Sequence, residues 1–181
     1  MTTTRRRLAI SALAAAALVV TAATISSTTA SADKRSGSFS ARLSGYQEAP
    51  TTLSTKGSGF IRVKVDERAE TLRYTLRFDD LEGDVTQAHI HFGAVALTGG
   101  ISVWLCATPP IAAPSGTPTC PESGTVSGTL DAADVVGPAA AGIAAGEFGE
   151  LIDAIEAGTA YANVHSSLYQ TGEIRGQLRR G

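Results

Sequence analysis

Most of the motifs that mark a common enzyme class are missing from this sequence. It has no Gly-x-Ser-x-Gly elbow, no P-loop and no dinucleotide-binding fingerprint. Its Ser- and Thr-bearing loop has no histidine nearby in sequence, so nucleophilic catalysis has no support. There is no internal repeat, and no apolar run outside the N-terminus is long enough to span a membrane. Basic residues do not exceed acidic ones, at 15 against 17, which removes nucleic acid and anionic membrane surfaces from the expected partners. Cysteines number only two and histidines only three, so any sulfur or imidazole chemistry is confined to a few named positions.

Arg5, Arg6 and Arg7 precede an alanine-rich apolar run over residues 8–23, and a polar stretch ends in Ala30-Ser31-Ala32. A charged start, an apolar centre and a small-x-small site form a signal peptide, with cleavage expected between Ala32 and Asp33. A single-pass anchor is the competing reading, but the run is short for a span and the site sits where processing needs it. Arg5-Arg6 after Thr4 fits a twin-arginine export signal as well as an ordinary charged n-region, so the route stays open between the two. Loss of the signal leaves 12 basic against 17 acidic residues, a net charge of −5. About 150 residues remain, enough for one domain with a sizeable core.

Cys106 and Cys120 both lie in the exported part and bracket a segment rich in Pro, Thr, Ser and Gly. Two thiols exported together across a flexible loop are expected to form a disulfide. A thiolate copper or redox pair is the alternative, and the spacing lacks a Cys-x-x-Cys geometry.

After a polar leader over residues 33–38, Phe39, Ala41 and Leu43 alternate as in a half-buried strand. Residues 45–57 read as loop. Ile61, Val63 and Val65 alternate with Arg62 and Lys64, and Leu72, Tyr74, Leu76 and Phe78 with Arg73, Thr75 and Arg77, which predicts a hairpin turning at residues 66–70. Further strands are expected at residues 87–92, 101–106, 124–130, 161–165 and 173–178. The last two are joined by a hairpin-length loop. Only residues 147–157 show helical spacing, through Phe148, Leu151, Ile152 and Ile155, with Gly158 as the stop. The stretch 131–146 reads as a connection with a helical turn near residues 132–135. Short strands and one helix predict an all-β fold, an antiparallel sandwich or barrel.

All three histidines fall in strands. His89 and His91 share one strand face, with Ile90 and Phe92 on the other. His165 shares a face with Asn163 and Tyr161, and Glu173, Arg175 and Gln177 share the polar face of the last strand. If these strands are neighbours, three imidazoles meet beside a carboxylate, a guanidinium and an amide. Three imidazoles suit copper or zinc. Glu48, Asn163, Glu173 and Arg175 are candidates to add a ligand or to orient the rings. The opposing reading needs no metal, because strand-face histidines also hydrogen-bond to Asn, Glu and Tyr neighbours.

Trp104 and the four tyrosines read as packing. Arg62, Lys64, Arg73 and Arg77 read as the solvated face of a hairpin. They could attract an acidic partner, but Asp66, Glu67, Asp79 and Asp80 close by in sequence dilute the patch.

Four motifs then occur in order: residues 39–50 ending in Gln47-Glu48-Ala49-Pro50, Ala88-His89-Ile90-His91-Phe92-Gly93, Tyr161-Ala162-Asn163-Val164-His165, and Gly172-Glu173-Ile174-Arg175-Gly176-Gln177-Leu178. Together they resemble the CHRD domain, named after chordin, over residues 39–178. Ser166 stands where that family often has Thr, and the proline-rich loop between the cysteines is particular to this chain. The resemblance implies an immunoglobulin-like, Greek-key β-sandwich or barrel in an extracellular protein. Chordin sequesters growth factors, but a single bacterial-type domain does not inherit that partner. The His-x-His strand is also similar to the copper-ligand strand of copper/zinc superoxide dismutases, which implies His89, His91 and His165 as copper ligands. Those enzymes use further histidines for a bridging ligand and a zinc site, and this chain has none left. A full dismutase site is therefore not expected, and what the similarity leaves is a reduced copper site or its vestige.

The expected organisation is a removed signal peptide (1–32), a polar leader (33–38) and a CHRD-like domain (39–181). The expected protein is a secreted or cell-surface binding module, non-enzymatic, with a His-lined copper or zinc site and an extracellular protein or ligand as partner. One alternative is a copper- or zinc-dependent redox enzyme using the same imidazoles. Another is a structural or adhesive domain without metal.

Overall fold

Alternation of apolar and polar residues sets the architecture, because each strand can bury only every second side chain. The computed structural model describes residues 36–181; the signal peptide, its cleavage site and the first three leader residues lie outside the described residues. The strands are β1 (Ser36–Ser44), β2 (Ser58–Asp66), β3 (Thr71–Asp79), β4 (Val85–Phe92), β5 (Gly100–Ala107), β6 (Gly124–Leu130), β7 (Ala160–Ser166), β8 (Ile174–Gln177) and β9 (Arg179–Arg180). One α-helix, α1 (Phe148–Glu156), precedes β7.

Every pairing is antiparallel, in the order β5-β4-β7-β8-β1-β2-β3-β6, with β9 on β1. The sheet curls until its two end strands approach, so of the two expected forms the nearly closed barrel is the one present. The Tyr74 hydroxyl donates to the Leu105 carbonyl at 2.6 Å, which ties β3 to β5 across the seam. The Cys106–Cys120 disulfide lies at the same seam, and the Ala107 amide bonds the Pro118 carbonyl at 2.9 Å.

The leader is shorter than the sequence suggests. Ser36, Gly37 and Ser38 already pair with Asp66, Val65 and Lys64, because their backbone extends β1 beside β2 although their side chains carry no apolar signal. The 45–57 loop opens with a 3-10 turn, Gly45–Gln47. The helical turn expected near residue 132 is also 3-10, Ala132–Asp134, capped by Asp131.

The interior is filled by residues such as Ile61, Val63, Leu72, Leu76, Phe78, Ile90, Val103, Leu105, Ala162, Val164 and Ile174, each essentially without solvent contact. Each large apolar side chain contributes about 1.5–3 kcal/mol by leaving water. Helix α1 adds Phe148, Leu151, Ile152 and Ile155 to this core. It ends where Gly158 takes φ of +70°, a left-handed turn that favours glycine.

With Ile90, Ala162, Val164 and Ile174 pointing inward, the alternate residues of β4, β7 and β8 point out of the barrel. Antiparallel register sets them in rows: His89 opposite Asn163 opposite Arg175, and His91 opposite Tyr161 opposite Gln177. His165 stands opposite Gln87.

Candidate metal centre

The outer wall should be wet, yet His89, His91, His165, Asn163 and Arg175 are all buried. Connections between strands cover them. The β1–β2 connection brings Glu48, whose two carboxyl oxygens each lie 3.2 Å from Asn163 Nδ2. The β4–β5 connection is held by Arg175, whose Nη2 donates to the carbonyls of Ala94 (3.1 Å) and Leu97 (2.9 Å). The β7–β8 connection supplies Gln170, whose carbonyl faces His165 Nδ1 at 3.0 Å.

The ligand atoms of His89, His91 and His165 lie within 4.8 Å of one another. Adjacency of β4 and β7, which the sequence left as a condition, brings this about. His91 Nδ1 is 3.1 Å from the Gly99 carbonyl. A carbonyl only accepts, so Nδ1 of His91 and of His165 carry their protons, and each Nε2 keeps a bare lone pair. His89 Nδ1 faces His165 Nε2 at 3.1 Å. Two nitrogens bound tetrahedrally to one ion, each about 2.05 Å from it, would stand about 3.3 Å apart.

Aromatic neighbours set the ring planes. His91 stacks on Tyr161, centroids 4.9 Å apart and planes within 4°. The Arg175 guanidinium lies 3.5 Å from the centroid of the same tyrosine ring. Trp104 meets His89 edge to face at 4.3 Å. The Tyr161 hydroxyl accepts from the Gly99 amide at 3.0 Å, so the residue whose carbonyl orients His91 is itself pinned. A Cβ at Gly99 would collide with the Phe92 carbonyl, so only glycine lets the loop lie this close.

Burial keeps the cluster neutral. It lowers the His89 pKa to about 2, with the neighbouring imidazoles His165 and His91 adding to the effect. It lowers His91 to about 4, again mostly by desolvation, and His165 shifts the same way for the same reason. Glu48 goes up instead, to about 7, because desolvation outweighs the stabilising contacts from Asn163 and Arg175. Near neutral pH the three imidazoles therefore offer lone pairs without competition from protons.

Of the four accessory candidates, neither carboxylate, Glu48 nor Glu173, joins the three-imidazole group. Glu48 and Asn163 bond each other, and Arg175 braces the roof. Glu173 is engaged elsewhere: its Oε1 accepts from the Thr55 hydroxyl and the Glu82 amide, both at 2.7 Å, linking connections around the site. Tyr161 and Trp104, expected only to pack, touch the imidazoles directly. Period-two alternation already placed Tyr161 on the His165 face; no signal in the sequence points to Trp104, Gly99 or Gln170.

The fit to a metal rests on more than proximity. Nε2 of His91 is buried with no hydrogen-bond partner, and a buried polar atom left unpaired costs about 1–3 kcal/mol. An ion accepting imidazole lone pairs would remove part of that cost.

Fold and site together define a class: an antiparallel β-barrel module carrying a buried three-imidazole group, able to hold a metal ion, on its outer wall. Residues 39–178 match the CHRD domain, and the chain belongs to that family. No curated protein and no solved structure matches it. Among the described residues, no helix is long and apolar enough to cross a membrane.

Proposed function

We propose that the protein is an exported binding module that holds one copper ion on His89, His91 and His165. The observation carrying this reading is the unpartnered, buried Nε2 of His91, a bare lone pair within a neutral three-imidazole group. Copper is favoured over zinc because divalent copper outcompetes zinc at nitrogen sites. The bound ion would supply a redox-active Lewis acid. The protein's own residues orient the donors: Gly99 and Gln170 hold two rings by their Nδ1 protons, and Tyr161 and Trp104 fix ring planes. The connections that cover the cluster keep water away. The disulfide and the signal-like N-terminus support an extracytoplasmic setting.

Metal analysis of the purified mature protein, with competition titrations for copper and zinc, tests the proposal. One equivalent of copper, lost in His91→Ala, is the expected result; no stoichiometric uptake of either metal by the wild type would refute it. A copper-dependent redox enzyme is the second reading, favoured by the three-ligand count, which leaves a coordination position open. Turnover of superoxide or peroxide by the copper-loaded protein would select it.

A further inference from the structure

The opposite wall of the barrel carries a second feature, independent of the histidines. On the outer faces of β1, β2, β3 and β6, register sets three consecutive rows: Arg42–Phe60–Arg77–Thr125, Ser40–Arg62–Thr75–Ser127 and Ser38–Lys64–Arg73–Thr129. These twelve positions hold five cations, one phenyl ring and six hydroxyls, and no carboxylate. All but Ser40 are exposed. The acidic residues that dilute the patch in sequence stand at its edges or outside its strands. Asp79 and Asp66 fall in the rows beyond either end, and Glu67 and Asp80 are outside the strands. Only Arg77 is ion-paired, with Asp79 at 3.1 Å; among the described residues, Arg42, Arg62, Lys64 and Arg73 have no such partner.

This arrangement works against the fold. Lys64 and Arg73 stand directly opposite each other, and like charges at such positions destabilise a sheet. It also runs against the mature chain's net negative charge, since five of its 12 basic residues are gathered here. An anionic occupant would relieve both conflicts. The face is relieved by open depressions: a central one of about 330 Å³ lined by Phe60, Arg62 and Arg77 with no carboxylate, and two at the edges, one of about 210 Å³ where Asp79 joins Arg42, Phe60 and Arg77 and one of about 560 Å³ where Asp66 joins Lys64 and Arg73. The rows span about 13 Å along the strands and about 14 Å across them.

We infer that this face binds a carboxylate-bearing polysaccharide. Four of the five cations are arginines, whose planar fork matches a carboxylate. Hydroxyls at the remaining positions suit a hydroxyl-rich chain, and the exposed Phe60 ring, between two depressions, offers a flat surface to a sugar. A single apolar side chain among twelve is too little for insertion into a lipid surface, and the acidic remainder of the molecule opposes a nucleic acid.

Binding of the mature protein to polygalacturonate, measured by calorimetry at low salt, tests this. The triple variant Arg62→Thr/Lys64→Thr/Arg73→Thr keeps strand-forming residues and should bind at least about tenfold more weakly, with unchanged circular dichroism. Raising the salt to 0.5 M should weaken the wild type comparably. Arg62→Lys/Arg73→Lys should keep part of the affinity, and His91→Ala all of it, which separates this face from the metal proposal. Equal binding by wild type and triple variant, or binding to neutral dextran as tight as to polygalacturonate, overturns the inference. So does tighter binding to dextran sulfate, duplex DNA or phosphatidylserine vesicles, which would assign the face to a different anion.

Discussion

His89 Nδ1 lies 3.1 Å from His165 Nε2, although the two residues are 76 positions apart in sequence. The contact exists because β4 and β7 pair, and it sets how the cluster should respond to perturbation. His165→Ala removes one of the three nitrogens and opens a polar hole at His89. The expected outcome is loss of stoichiometric copper uptake, with a folded barrel retained, read by metal analysis and circular dichroism on the same sample.

Metal removal should lower stability. Copper at about 1,000 times its dissociation constant would add about 4 kcal/mol to the folded state if the unfolded chain does not bind it. Thermal melts of copper-loaded and chelator-treated protein should therefore differ by several degrees, and the difference should vanish in His91→Ala. Identical melts for the wild type would contradict specific binding.

Arg175→Met should weaken the roof. It deprives the Ala94 and Leu97 carbonyls of a charged donor, a loss worth about 2–4 kcal/mol for a buried charge-assisted pair of bonds. Denaturant unfolding should show the drop. Copper affinity should fall as well, because the loop ends in Gly99, which orients His91. Arg175→Lys should recover little, since an ammonium cannot reproduce the stacked, forked geometry.

Cys106→Ser should leave Cys120 reactive to thiol reagents and cost about 3 kcal/mol, the chain-entropy value for a loop of this size. The wild type should show no free thiol. Two titratable thiols in the purified, unreduced protein would contradict the bond.

Two opposing pH effects are expected in the metal-free protein. The imidazoles titrate below their unfolded value of 6.5 when folded, so the unfolded chain takes up protons first. Their contribution is present above pH 6.5 and is lost as pH falls from there towards about 4, where His91 protonates. Glu48 titrates at about 7 when folded and 4.5 when unfolded, so its contribution is present below pH 4.5 and lost as pH rises towards 7. Three groups outweigh one, so melting temperature should fall on acidification from pH 6.5 to 4.5. It should also decline modestly between pH 6.5 and 8, and Glu48→Gln should abolish that second decline and steepen the loss on acidification.

Strand positions were legible because period-two alternation is a direct imprint of half-burial: Ile61, Val63 and Val65 needed no partner information to be placed inward. The three histidines were legible for the same reason. What alternation cannot carry is which strands are neighbours, so the meeting of His165 with His89 depended on the β4–β7 pairing. Nor can it show what covers an outer face. Glu173 shared a polar face on paper, yet Thr55 and the Glu82 amide claim its carboxylate, and both come from distant connections. Ser36 to Ser38 were missed in β1 because backbone pairing leaves no trace in side-chain type. The solvated arginine face was legible from the hairpin alone, whereas the place of Arg42 in it depends on the β1–β2 register.

The histidines project from the outside of the wall whose inside is Ile90, Ala162, Val164 and Ile174. Each strand therefore divides its labour residue by residue, one side keeping the barrel folded and the other holding the imidazoles. Substitutions that retune the cluster need not disturb the residues that hold the barrel shut. Such a wall can change its chemistry, or lose it, while the same domain continues to fold.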